Sequence, residues 1–223
     1  MKKVSQILIL FVLVAFAKES FSQEFGVKAG LNFSNMLAKD NDVTLSDDYK
    51  SKLGFQFGPV VEFPFSDLLS LETGLMFTTR GFKTEDSGSS FGVDWESKRS
   101  VNVNYLDIPI NLRAGFDVGS MRIYGNFGPY IGIALSGKYK SEYTVAGDTE
   151  EDDEKLDIGS DKGEDDLKRT DFGLNIGAAV AITSFEVGLN YGLGLANLSP
   201  STDNGAKMKN RVFSITVAYK LGK

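Results

Sequence analysis

The sequence predicts an all-β chain: an eight-stranded antiparallel up-and-down transmembrane β-barrel with short periplasmic turns and long extracellular loops. Three observations lead there. Apolar and polar residues alternate at period two through most of the chain. The links between alternating segments are short and long by turns, and the polar parity is rich in Gly, Asn and Ser. Successive side chains of a strand point to opposite faces, so each alternating segment reads as a strand with one apolar face.

The N-terminus comes first. Lys2 and Lys3 precede an apolar run from Ile7 to Ala17, and Ser20-Phe21-Ser22 supplies small residues before a cut at Gln23. This is the layout of a secretory signal peptide over residues 1–22, leaving 23–223 as one barrel domain. A transmembrane anchor is the other reading, but the run is well short of the ~20 residues a spanning helix needs. No second long apolar run follows, so a mature chain in a membrane must cross it as strands.

About eight segments then alternate, in the manner of spanning strands of roughly 9–11 residues. In Glu24–Asn35, Phe25, Val27, Leu31 and Phe33 oppose Lys28, Gly30, Asn32 and Ser34. Lys52–Phe65 sets Phe55, Phe57, Val61 and Phe63 against Gln56, Gly58 and Glu62, and Leu68–Gly81 sets Leu69, Leu71, Leu75 and Phe77 against Glu72, Thr78 and Arg80. The clearest is Leu106–Phe116, where Leu106, Ile108, Ile110, Leu112, Ala114 and Phe116 share one parity and Asp107, Asn111 and Arg113 the other. Met121–Leu135 continues it after the turn Asp117–Ser120, with Arg122, Tyr124 and Tyr130 on the polar parity. Arg169–Ile182 carries Asp171, Phe185–Leu195 carries Glu186, and Asn210–Leu221 carries Lys220 on their polar sides.

Ser66-Asp67, Asp117–Ser120 and Thr183-Ser184 are short links, whereas Met36–Ser51, Phe82–Arg99, Gly137–Lys168 and Leu198–Lys209 are long and read as loops. That regularity describes an up-and-down barrel with both termini on the short-turn side. A soluble barrel also alternates, with its apolar side chains inward. Here the polar parity is too small and lightly charged for a solvated surface. Aromatic residues also gather near both strand ends: Phe65, Phe116, Phe185 and Tyr219 towards the short turns, Phe33, Phe55, Phe77 and Tyr191 towards the loops. Two such groups match interfacial girdles, so the apolar parity is assigned to lipid.

The charges then point inward. Lys28, Arg80, Arg113, Arg122 and Lys220 share the lumen with Glu62, Glu72, Asp107, Asp171 and Glu186. A midplane Arg or Lys facing lipid costs about 2–4 kcal/mol, and an unpaired charge buried in a narrow lumen costs several more. The plain expectation is a network that fills and fixes the barrel; the sharper one is a polar conduit or a proton- or ligand-responsive gate.

Composition excludes several function classes. The chain has no Cys and no His, which removes disulfides, thiol chemistry and the commonest general base and metal ligand. A net charge of −6 argues against nucleic acid as a partner. The acidic run Asp148–Glu154, continued by Asp157, Asp161, Glu164, Asp165 and Asp166, invites a calcium site, but its spacing is not that of a calcium-binding loop. It reads as a solvated, mobile external loop. Pro109 cannot donate a ladder hydrogen bond, so a bulge or bend is expected there, near the long-loop rim. Trp95 is placed in the second long loop, packing it or touching a partner. Nothing points to catalysis, a metal or a cofactor.

Taken together, Phe25–Ser34 after the signal cut, Tyr105-Leu-Asp-Ile-Pro-Ile110, Gly128-Pro-Tyr-Ile-Gly132, Asp171–Leu174 and Tyr191-Gly-Leu193 resemble the PorT-like outer-membrane β-barrel family of Bacteroidetes. The resemblance covers nearly the whole mature chain. It implies an eight-stranded barrel in the outer membrane, whose namesake is associated with type IX secretion. Such barrels usually end on an aromatic residue; this chain ends Leu221-Gly-Lys223, so Tyr219 is the expected substitute. The function expected is non-enzymatic: a monomeric barrel with a side-chain-filled lumen, embedded in outer-membrane lipid. It would serve envelope structure or present loops to an envelope or secretion-system partner. A small-solute, porin-like channel is the alternative. Eight strands favour the filled lumen, since aqueous pores need 16–18.

Overall fold

A computed structural model describes residues 23–40 and 43–221; the segment 1–22, expected as a signal peptide, lies outside the described residues. The strands are β1 (Glu24–Asp40), β2 (Val43–Thr44), β3 (Lys50–Pro64), β4 (Leu69–Gly74), β5 (Met76–Ser90), β6 (Val93–Val118), β7 (Met121–Val145), β8 (Asp148–Lys155), β9 (Thr170–Ile182), β10 (Phe185–Gly194) and β11 (Lys207–Leu221). Strands β1, β3, β4 with β5, β6, β7, β9, β10 and β11 form eight staves, each antiparallel to the next. Closure is made by β1, which pairs with β3 from Glu24↔Glu62 to Ser34↔Lys52 and with β11 from Phe25↔Leu221 to Lys39↔Lys207. A closed ring satisfies every backbone polar group without an edge, which a lipid environment demands.

The faces are inside-out relative to a soluble barrel. Leu31, Phe57, Leu112, Ile131, Val187 and Val217 are about half exposed on the outer surface, while Glu62, Arg113 and Asp171 are buried inside. Aromatic side chains gather on the outer surface: Phe185 lies 5.1 Å from Tyr219, Phe33 6.3 Å from Phe213, and Phe57 5.5 Å from Phe77.

Two segments expected as loops are strands. Phe82–Arg99 continues the β5–β6 ladder out to Ser90↔Val93, and the first part of Gly137–Lys168 folds into the end of β7 and all of β8, paired from Lys138↔Lys155 to Val145↔Asp148, while residues 156–169 stay irregular as expected. Strands β5, β6, β7 and β8 therefore run past the apolar belt as one protruding four-stranded sheet. Period-two hydropathy vanishes there because neither face meets lipid, so sequence alternation carries no signal. The two hairpin tips are instead tight turns with left-handed φ at both central residues: Phe91 (53°) with Gly92 (80°), and Ala146 (51°) with Gly147 (94°). Trp95 belongs to this sheet rather than to a loop, its ring lying on the backbone of Gly88.

The Pro109 expectation also needs correcting. Pro109 sits within the long strand β6, paired with Tyr130, away from the rim. The register shift in the β6–β7 ladder falls instead at Asn104/Tyr105. On its other side the neighbouring stave is interrupted at Leu75, between β4 and β5, and Leu75 N–H bonds Pro59 O at 3.0 Å. The missing donor of Pro109 is thus accommodated by a break in its neighbour, while Thr73 Oγ1 donates to Pro109 O at 2.7 Å.

The long-loop mouth is stoppered by an apolar cluster of Met36, Val103, Tyr105, Ala134, Ala196, Leu167 and Leu198. The last two come from separate loops, which are tied together where Lys168 N–H donates to Leu198 O at 2.8 Å.

Candidate functional site

Small inward residues make the lumen possible. Gly26, Gly30, Asn32 and Ser34 share the inward parity of β1 with Lys28, leaving room for long charged side chains from the opposite wall. Those side chains form two tiers.

The lower tier centres on Arg113 of β6. Its guanidinium donates to Glu62 of β3 at 2.9 Å, Glu72 of β4 at 3.0 Å and Glu186 of β10 at 2.6 Å. Lys28 bonds Glu72 at 2.6 Å and approaches Glu186 at 3.9 Å. Lys220 of β11 reaches Glu62 at 2.5 Å and Glu24 at 2.9 Å, and Ser70 donates a short bond to Glu62. Tyr124 of β7 floors the tier, with Arg113 3.9 Å and Lys220 5.3 Å above its ring. Three bases thus meet four acids, Glu62, Glu72, Glu186 and the half-buried Glu24, and every one of these carboxylates has a cation partner.

The upper tier centres on Arg80 of β5. It bonds Asp107 of β6 closely and Asp171 of β9 at 2.8 Å, and it is clasped between the rings of Tyr105 and Tyr130 at 4.9 Å each. Tyr130 Oη (3.1 Å) and Asn210 Nδ2 (2.9 Å) also donate to Asp171. Here two carboxylates share one cation, and Asp107 Oδ1, Asp171 Oδ1 and Arg80 Nε are buried without a hydrogen-bond partner. Near this tier the lumen keeps a cavity of about 60 Å³ lined by Gln56, Thr78, Asp107, Asn175, Asn190 and Ser214. That is room for water molecules and nothing larger.

The structure therefore gathers Lys28, Glu62, Glu72, Arg113, Glu186 and Lys220 in one group and Arg80, Asp107 and Asp171 in another. Arg122 bonds no carboxylate of either tier and meets the lower one at the Tyr124 ring, 5.5 Å from its guanidinium. Expected in the lumen, it sits at the short-turn rim, bonding Asp117 at 3.2 Å and the backbone oxygen of Asp67. Parity assigns a side chain to a face, but depth along the barrel decides whether it is enclosed. Glu24, Ser70, Asn210 and the three tyrosines were missed as members. The tyrosines and Asn210 stand on the inward parity, so an uncharged residue there was the available signal.

The protruding sheet has two unlike faces. On one, Lys83, Glu85, Lys98, Glu142 and Asp153 are knitted by ion pairs: Lys50–Glu85 (2.8 Å), Lys83–Glu85 (2.7 Å), Lys98–Glu96 (2.8 Å), Lys98–Glu142 (3.6 Å) and Lys138–Asp153 (2.8 Å). Hydrogen bonds from Lys50 and Lys83 hold the Glu85 carboxyl down at about 2. The bond from Lys138 likewise keeps Asp153 below its ordinary range. The register places Trp95, Tyr139, Tyr143 and Val145 on the other face, beside Asp148, Glu150, Asp152 and Glu154 of β8.

Residues 20–199 match the family model described as "Outer membrane protein beta-barrel domain". The chain belongs to this family. Its place is accordingly the outer membrane, where the apolar belt meets lipid. No curated protein matches the chain in sequence. Among solved structures it is similar to Ail, the attachment invasion locus protein of Yersinia pestis, at 16% identity over 89% of this chain and 98% of that one (TM-score 0.38). It is likewise similar to OprG from Pseudomonas aeruginosa at 12% identity, covering 91% and 98% (TM-score 0.41). Neisserial surface protein A aligns at 14% identity, covering 88% and 97% (TM-score 0.37).

Proposed function

We propose that this protein is a non-enzymatic, monomeric outer-membrane barrel that acts from its surface, through the protruding β5–β8 sheet, and not through its lumen. The observation that carries this reading is the filling of the barrel. An apolar stopper closes the long-loop mouth, Arg80 and its partners span the axis beneath it, and Arg113 and its carboxylates span it again lower down. The lumen carboxylates are engaged with cations, which leaves no free acid–base pair for hydrolysis. A sheet of four long strands held clear of the lipid belt is suited to meeting an envelope or secretion-system partner. The PorT-like resemblance of the sequence supports a secretion-accessory role within that reading.

The test is electrical. Purified full-length protein in planar bilayers should show no steady current. A reproducible, wild-type-specific conductance would overturn the reading in favour of a small-solute channel.

A further inference from the structure

Among the described residues strand β8 pairs only with β7, so its other edge is open along its length. In an antiparallel ladder alternate residues direct N–H and C=O away from the paired side, and all eight residues of β8 are exposed. Such an edge is a template for a further strand. Its side chains decide which strand can take the place. Asp148, Glu150, Glu151, Asp152, Asp153 and Glu154 exclude a second copy of β8, because like charges would stand opposite one another.

The two faces of the sheet then set the partner's polarity. On the Lys83–Glu85–Lys98 face the acids are already ion-paired, except Glu151 and, at the hairpin end, Asp94. On the opposite face Asp86, Asp148, Glu150, Asp152 and Glu154 form no ion pair among the described residues, and only Arg99 opposes them. Beside these acids stand the rings of Tyr139, Tyr143 and Trp95, with Tyr143 about half exposed (48%). Carboxylates next to aromatic rings bind ammonium and guanidinium groups in two ways, by charge and by the ring face.

We infer that the open edge of β8 receives an extended cationic polypeptide segment as a fifth strand, its alternate Lys or Arg side chains lying over the tyrosine–carboxylate face. This rests on the reading that the protein works from its protruding sheet, and it adds the chemistry of the partner. Backbone pairing supplies the register, and alternation supplies the selectivity, since only every second side chain of the added strand meets the unpaired acids.

The test uses the full-length protein in lipid nanodiscs at about physiological salt, where diffuse attraction is screened. The probe is a fluorescent peptide of alternating Lys and Thr, as long as β8. A control peptide of identical charge carries N-methyl groups on alternate residues and so cannot pair. The unmodified peptide should bind, and N-methylation should weaken it by about tenfold or more. Glu150→Lys with Asp152→Lys should cause a comparable loss, while Glu151→Lys, on the ion-paired face, should change binding by less than about threefold. Because these positions lie outside the barrel, the variants keep the wild-type fold, checked by the strand signature in circular dichroism. Equal binding of the two peptides, equal loss from both faces, or no binding of the unmodified peptide would each overturn the inference. A conducting barrel that still bound the peptide would refute the sealed-lumen reading alone. A silent barrel that ignored it would refute only the cationic strand.

Discussion

Arg113 lies with its guanidinium carbon 3.9 Å from the centre of the Tyr124 ring while its nitrogens bond the carboxylates of Glu62, Glu72 and Glu186. One side chain thereby ties five staves together across the lumen. The ring covers the face of the cation that no carboxylate reaches, so the charge is enclosed on all sides.

Arg113→Met should therefore be costly, because it leaves three acids with only Lys28 and Lys220 as partners. A loss of about 3–5 kcal/mol is expected for breaking such a buried group. Lys155→Met on exposed β8 should change stability by less than about 1 kcal/mol. Urea midpoints of the protein refolded in lipid vesicles compare the two. Equal, small effects would mean that Arg113 is hydrated and the lumen wet.

The upper tier predicts a rescue. Arg80→Met strands Asp107 and Asp171 together, so the single variant should lose about 3–5 kcal/mol. Adding Asp107→Asn and Asp171→Asn should recover part of that loss, since neutral amides need no counter-ion. A triple variant less stable than Arg80→Met would show that the carboxylates are held by groups other than the arginine.

The stopper predicts a local effect. Leu198 is fully buried between the mouth and a neighbouring loop, and Leu198→Ala should cost about 2–5 kcal/mol. Amide exchange should speed up first at Lys168, whose N–H is bonded to Leu198 O, and not at Arg113. Uniform acceleration through the barrel would contradict an independent plug.

Acid should leave the Lys50–Glu85–Lys83 clamp intact well below the usual carboxylate range. The folded Glu85 value, about 2, is depressed from 4.5, so the clamp contributes its stability above pH 4.5 and loses it as pH falls through about 2. Carboxyl NMR titration should find that depression, and Lys50→Gln with Lys83→Gln should return Glu85 towards its ordinary value. An unchanged titration in the double variant would dismiss the clamp.

Sidedness is tested by proteolysis of intact cells. Lys162 stands exposed in the irregular segment between β8 and β9, paired with Asp203 at 2.9 Å. External proteinase K, which cuts after many residue types, should cut there and spare the link at residues 183–184. The reverse pattern would invert the barrel.

The sequence by itself determined the barrel and the two faces of its staves. Residues such as Leu112 and Arg113 face different environments, lipid and lumen, and a strand in two environments must alternate. The same alternation placed nine of the ten expected charges inside, leaving only Arg122 at the rim. Tertiary structure alone decided the rest. Which acid reaches Arg113, and which base reaches Glu62, depends on stagger between staves distant in sequence, as with Glu186 and Lys220, and no local pattern encodes that. The mouth is sealed by Leu167 and Leu198, which meet only after the ring has closed. The protruding sheet was hidden for the opposite reason: with both faces outside lipid, β8 has no need to alternate, so a strand of acids reads as a loop. Its order comes from backbone pairing with β7, which every residue type can provide.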